Sequence, residues 1–243
     1  FGLNRSWGYV HLFASSFDQK VGLVEGERDS TGAFLTEAAP YQRITHRKIS
    51  LNNSFILGGY SLKTVLGFQN NRRREFEEPD SPPGLYFDLS TLTYDVKLLF
   101  PDINGWERSI GINGMHQVNR NKGFEALIPD YRQTDAGLFA FAKKSIGKTH
   151  FSAGIRGDLR SLHTELREED GEVKFRAFDK TFRSVSASLG FVREVRDGLV
   201  FKLNLSKGFR SPNIAELSSK GVHEGPFRYE YGNAGLSPED NFH

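Results

Sequence analysis

The sequence predicts an all-β chain: an antiparallel up-and-down transmembrane β-barrel, incomplete, with about nine to ten strands of a larger barrel. Three observations lead there. Segments of about ten residues or more alternate apolar and polar side chains, the period of a strand with two unlike faces. The connections between these segments are alternately long and short. Aromatic residues reach 13%, with Phe 21 and Tyr 8; they favour strands and populate the interfacial girdles of membrane barrels.

Composition narrows the alternatives. At 243 residues the chain fits one or two soluble domains, or part of a large one. Cysteine is absent, which removes disulfides, thiolate nucleophiles and Cys-built zinc sites. A formal net charge of +2 argues against a nucleic-acid partner bound through a basic surface. Mean hydropathy is −0.48, and no run approaches the ~20 apolar residues of a membrane helix. Helical membrane proteins are thereby excluded, whereas barrels stay open because alternating strands never look apolar on average. The sequence opens on Phe1 without a Met or a signal-like segment, and Glu239 to His243 break off as a strand begins. Both ends look cut, so a piece of a larger protein is expected.

Taken in order, Tyr9 to Phe17 is the first strand, with Tyr9, His11, Phe13 and Phe17 on one side and Val10, Leu12 and Ala14 on the other. Gln19 to Pro40 is a long charged connection. Tyr41 to Leu57 follows, with Ile49, Leu51, Phe55 and Leu57 in register. Gly58-Gly59 makes a two-residue hairpin turn that accepts positive φ. Tyr60 to Asn70 returns, with Tyr60, Leu62, Thr64, Leu66 and Phe68 on one face. Arg72-Arg73-Arg74, beside Glu75, Glu77 and Glu78, read as a solvated strand end rather than a phosphate site. Past the proline-rich stretch from Pro79 to Gly84, Leu92, Tyr94, Val96, Leu98 and Phe100 oppose Thr91, Thr93, Asp95 and Lys97.

Pro101 to Gly105 turn tightly. Trp106, Ile110, Ile112 and Val118 then oppose Glu107, Ser109, Asn113 and Gln117, and Asn119 to Asp130 is a polar loop. Thr134 to Lys144 is strand-like, but Leu138-Phe139-Ala140-Phe141-Ala142 is apolar on both faces, so the pattern assigns no outward side. After a turn at Ser145 to Lys148, Thr149, Phe151, Ala153, Ile155 and Leu159 face away from His150, Ser152, Arg156, Asp158 and Arg160. Leu162 to Thr181 is a charged connection. Arg183–Val195 and Leu199–Ser206 pair through the Arg196-Asp197-Gly198 turn. The strand stops at Gly208, and Pro212 takes the chain out of the sheet. Asn213 to Ser237 is expected to be a long connection on the long-loop side, partly disordered or held by local contacts, and Pro238 opens a last strand.

The two faces acquire meanings in such a barrel. Leu203, Leu205, Leu189, Phe191, Ile155 and Val96 point at lipid. Lys202, Asn204, Ser186, Ser188, Arg156, Asp158, Asp95 and Lys97 point into a wet interior, where charges must pair or be hydrated. Arg156 beside Asp158 suits that requirement.

Gly208-Phe209-Arg210-Ser211-Pro212, then Ala215-Glu216-Leu217, Gly221-Val222-His223 and Tyr231-Gly232-Asn233-Ala234-Gly235-Leu236-Ser237-Pro238-Glu239, resemble the barrel of TonB-dependent outer-membrane receptors. That family usually reads F-R-A-P in the first box and N-P-(D/N)-L-(K)-P-E in the last. Here Ser211 replaces the Ala, and Ala234-Gly235 replaces the Pro-Asp pair. The Leu23-Val24-Glu25-Gly26-Glu27-Arg28-Asp29 segment resembles, less specifically, a stretch of Bacteroidetes-type members.

The resemblance implies a barrel of 22 strands with a plugged lumen, in the outer membrane of a Gram-negative bacterium and in contact with its lipid. It implies import of a scarce ligand such as an iron-siderophore or haem, energised by the TonB complex through a plug domain not in this chain. Phe209, Arg210, Pro212, Gly232, Asn233, Leu236, Pro238 and Glu239 are the matching motif positions. His223 sits where a loop histidine can contribute to ligand capture in receptors for haem or zinc; Glu224, Arg228 and Tyr229 beside it complete the candidate ligand contacts.

No catalytic residue and no cofactor is expected, since the seven histidines are scattered and no H-E-x-x-H, G-x-S-x-G or P-loop pattern occurs. The alternative reading is a passive porin or structural outer-membrane barrel without a plug. An outer-membrane hydrolase needs a Ser/His/Asp set at the rim, which the sequence lacks. A soluble all-β binding domain would have strands too short to span lipid.

Overall fold

The computed structural model describes residues 1–22, 28–33, 40–78, 80–169, 171–223 and 228–243. Residues 23–27, which carry most of the less specific resemblance, lie outside them. Among the described residues eleven strands form one antiparallel sheet: β1 (Gly2–Arg5), β2 (Gly8–Gly22), β3 (Tyr41–Leu57), β4 (Tyr60–Phe76), β5 (Tyr86–Leu99), β6 (Trp106–Asn121), β7 (Tyr131–Ile146) and β8 (Thr149–Thr164), then Asp179–Arg196, Leu199–Arg210 and Glu239–Phe242. The short strands β9 (Arg167–Glu169) and β10 (Glu172–Phe175) form a hairpin inside the connection to β11 (Asp179–Arg196). After β12 (Leu199–Arg210) come a one-turn helix α1 (Ile214–Ser218), a hairpin of β13 (Lys220–His223) and β14 (Arg228–Tyr231), and β15 (Glu239–Phe242). β15 pairs with β12, so β1 and β15 are the two edges of an open sheet.

Each strand pairs with its neighbour in sequence, apart from the two inserted hairpins, and the short turns all lie at one end. Gly58 and Gly59 have φ of 56° and 93°, the mirror-image turn geometry that matches the twist of a two-residue hairpin. The Arg196-Asp197-Gly198 turn joins β11 and β12 as expected, with Leu189 opposite Leu205 and Phe191 opposite Leu203. β12 runs away from that turn, so the connection from Ser211 to Pro238 lies with the long loops.

The sequence pattern places the strand centres correctly and cuts several strand ends short. β2 continues through residues 19–22, which pair with residues 41–44. Arg72, Arg73 and Arg74 lie inside β4, which runs on to Phe76. β12 passes Gly208 and leaves the sheet only after Arg210. The reason is common to all three. Beyond the apolar stretch both faces are polar, so alternation disappears while the backbone ladder continues. β1 is missed because four residues are too few to show a period.

Register assigns every face. Leu138 lies between Ile112 and Gly157 on the apolar side, which turns Phe139 and Phe141 to the polar side. There the Lys97 ammonium stands 5.8 Å from the Phe139 ring centre. Likewise Leu12 and Ala14 meet Leu51 and Ile49 on the apolar side, and Tyr9, His11, Phe13 and Phe17 lie opposite. The apolar rows span about nine residues on each strand, as on residues 60–68 of β4 and 151–159 of β8, the length a tilted strand needs to cross a bilayer. Leu138, Ile155 and Leu189 in these rows are 65%, 58% and 60% exposed, with no partner layer over them. Aromatic rings close the band at its short-turn edge: Tyr60 against Phe100 at 5.7 Å, and Phe151, Phe191 and Phe201 in sequence at 5.2 and 6.1 Å. Lys144 reaches past them over the Trp106 ring, as an amphipathic side chain does at a membrane interface.

Candidate functional site

The connection after β12 folds back onto the polar face of the sheet at its long-loop end. α1 begins with a capping box: Glu216 N–H donates to the Asn213 side chain at 2.9 Å, and Asn213 N–H donates to the Glu216 carboxylate at 2.9 Å. Leu217 then packs against Tyr131, Leu162 and Phe182, residues of β7, β8 and β11 on the polar face. Leu89, Ile128, Phe178 and Ile214 flank this cluster. An apolar spot on an otherwise polar wall is thus covered by one turn of helix.

The two motif boxes meet in space. Arg210, last residue of β12, donates to both oxygens of Glu216 at 2.7 and 3.0 Å and to Glu239 of β15 at 3.2 and 3.4 Å. One guanidinium therefore ties the end of one strand to the helix cap and to the start of the next strand. Gly232 donates to the Ser219 carbonyl at 2.7 Å and Asn233 to the Glu216 carbonyl at 2.7 Å. A Cβ at Gly232 would collide with the backbone nitrogens of Ser218 and Ser219, so only glycine allows this approach. The Asn233 side chain accepts from Gly235 at 2.8 Å and closes the following turn. Pro212 is buried, Phe209 pairs with Asp240 across to β15, and Leu236 and Pro238 continue the chain to Glu239. The motif residues build a clamp. Glu216 is the member that a motif reading alone did not single out, though it lies in the box between the two.

The candidate ligand contacts are only partly described. His223 and Arg228 are register partners in the last pair of the β13–β14 ladder, next to residues 224–227, and Glu224 lies outside the described residues. Tyr229 is 56% exposed and stacks on Tyr231 at 6.4 Å.

Below the clamp, the polar face carries a paired network. Arg156 donates to Asp158 at 2.8 Å and to Asn113 at 2.8 Å, and Asn113 donates to Asp95 at 3.3 Å. Arg160 grips Asp135 at 2.9 and 2.8 Å, with Gln133 beside it. Charges from β5 to β8 are thus mutually satisfied, as a sheltered wall requires. Among the described residues no group of acidic and histidine side chains is arranged to hold a metal ion.

A wide meander with a bilayer-sized apolar band and a paired polar inner face is the wall of a membrane barrel. The family model for the TonB dependent receptor-like β-barrel matches residues 3–242, and the chain belongs to that family. Its fold is similar to that of the FrpB iron transporter from Neisseria meningitidis (F5-1 variant), with TM-score 0.67 and 14% identity over 87% of this chain and 36% of that one. Copper transporter OprC gives TM-score 0.66 and 11% identity over 99% of this chain and 46% of that one. A double mutant of the Serratia marcescens hemophore receptor HasR, in complex with its hemophore HasA and heme, gives 0.64 and 15% over 99% and 46%. The chain therefore spans less than half the length of these structures. Curated proteins gave no match. Members of the family are outer-membrane proteins of Gram-negative bacteria.

The clamp is expected to loosen in acid. Glu216 is held below its ordinary value of 4.5, first by the Asn213 backbone N–H and then by the Arg210 side chain. A depressed folded-state value means that its contribution is complete above about pH 4.5 and is lost as pH falls through the lower folded-state value. Protection factors across residues 213–233, taken relative to intrinsic exchange at each pH, should fall on acidification in the wild type, whereas Glu216→Ala should start modestly lower at neutral pH and fall no further. Wild-type protection factors independent of pH would remove Glu216 from the clamp.

Proposed function

We propose that this chain is part of the barrel of an outer-membrane import receptor that takes up a scarce ligand such as an iron-siderophore or haem. Energy comes from the TonB complex through a plug domain supplied outside these residues. The observation that carries this reading is the family match over residues 3–242. The two free sheet edges support it, because lipid does not tolerate unpaired strand edges and further strands must close the wall. The names of the similar structures, which concern iron, copper and heme, favour a metal or metal-complex cargo. In this orientation the long loops and the clamp face outward and the short turns face the periplasm.

His223, Glu224, Arg228 and Tyr229 are then the residues proposed to contact ligand, in the connection that follows β12. The test is growth of cells carrying the intact receptor on haem or an iron-siderophore as sole iron source, with and without TonB. Uptake should disappear without TonB; uptake that persists identifies a passive porin instead. With haem or a metal as cargo, His223→Ala should weaken uptake while leaving the amount of assembled barrel unchanged. Unchanged uptake would reduce His223 to an ordinary loop residue.

A further inference from the structure

Just beyond the apolar band, on the same side of the sheet, β3 to β6 bring basic side chains together. Register sets Arg43 opposite Arg74, Arg47 opposite Asn70, Arg72 opposite Asp88, and Asp88 opposite Arg120. Lys122 joins them through Asp88. Three of these cations meet a carboxylate: Arg43 meets Asp18 at 3.0 Å, and Arg72, at 3.5 Å, shares Asp88 with Lys122. Among the described residues Arg47, Arg74 and Arg120 form no ion pair; Arg74 donates to the Thr45 hydroxyl at 3.0 Å, and its Nε is buried without a hydrogen-bond partner. Two carboxylates thus face six cations. Neighbouring strands stand about 4.8 Å apart, so cations facing one another across them repel. A solvated strand end carries mixed charge that pairs off; this patch keeps an unbalanced positive surplus.

Position supplies the second argument. Arg47 lies two residues beyond Ile49 and Arg72 four beyond Phe68, the last apolar residues of their rows. At about 3.4 Å per residue the two sit roughly 7 and 14 Å along the strand from the apolar edge, at headgroup depth. Tyr86 lies among them, its ring centre 5.7 Å from both the Arg74 guanidinium and the Lys122 ammonium, the amphipathic ring expected at such an interface.

We propose that this patch binds the phosphate-bearing headgroups of membrane lipids in the leaflet on the long-loop side. Guanidinium forks match phosphate oxygens bidentately, and a membrane surface supplies the negative charge that the sheet lacks. The inference rests on the membrane orientation proposed above and adds to it a lipid chemistry and a location.

The intact barrel protein, extracted in detergent, is examined by native mass spectrometry with diphosphorylated lipid A, the same lipid after removal of its phosphates, and inorganic phosphate as competitor. Heat-modifiable migration on a gel first establishes that each variant is a folded barrel; failure of the wild type there refutes the membrane reading itself. The wild type should retain lipid A, release it at high salt, and bind the dephosphorylated lipid on the order of tenfold more weakly or worse. Arg47→Gln/Arg72→Gln/Arg74→Gln should lose lipid A to the same extent. Arg108→Gln/Lys144→Gln/Arg193→Gln, at the short-turn edge, should keep it. Equal retention by the first triple variant, equal loss by the second, indifference to the phosphates, or full displacement by inorganic phosphate would each overturn the proposal.

Discussion

Arginine at Ile155 is expected to destabilise the folded barrel by about 2–4 kcal/mol, the cost of a guanidinium near the bilayer midplane. Ile155 is 58% exposed on the apolar face, between Ala140 of β7 and Ala187 of β11. It stands four residues from Phe151 and four from Leu159, the two ends of its apolar row, so an introduced charge lies as far from either interface as the strand allows. Ser188→Arg is the matching control. Ser188 lies on the polar face beside Gly154 and Ser206, where a charge meets water and other polar groups, and its cost should be small. Urea titration of both variants in detergent micelles or liposomes compares them directly. Equal losses would mean that the apolar face is not against lipid, and the membrane reading would fall with it.

The same division of faces explains what could be read from the sequence. The second half of β3 and its turn are legible, because Ile49, Leu51, Phe55 and Leu57 keep register up to two glycines that need positive φ. The β11–β12 hairpin is legible for the same reason. Residues 72–76 and 207–210 are not, since outside the bilayer no apolar face is required and the ladder leaves no trace in side-chain pattern. Leu138 and Phe139 defeat the pattern in another way. Both faces are apolar there, and only neighbouring strands decide which one meets lipid. The charge pattern puts Leu162 at the start of a connection, yet it is among the most buried of the described residues, because α1 returns from about fifty residues later in the chain to cover it. The motif boxes contain Arg210 and Glu239, one at the end of β12 and the other at the start of β15. That the Arg210 guanidinium holds both Glu239 and Glu216 is a fact of three dimensions, which periodicity cannot express.

Leu217→Ala is expected to remove about 2–5 kcal/mol from the packing that holds the connection to the wall, the usual cost of emptying a fully buried leucine site. Leu217 is 1% exposed, against Tyr131 at 6%, Leu162 at 1% and Phe182 at 7%. The five residues of α1 have no stability of their own, since isolated helices shorter than about 12–15 residues barely form in water. The ion pairs around Arg210 are largely open to solvent and hold geometry more than they hold free energy. Packing at Leu217 is therefore what keeps the helix seated, and with it the hydrogen bonds from Gly232 to Ser219 and from Asn233 to Glu216. In hydrogen-exchange measurements, residues 213–233 of Leu217→Ala should lose protection while β3 to β8 keep theirs. Leu236→Ala, which truncates a residue already 37% exposed, should leave both regions unchanged. If protection of the connection survives Leu217→Ala, the connection is held by the clamp rather than by the apolar spot, and the order of importance given to the two must be reversed.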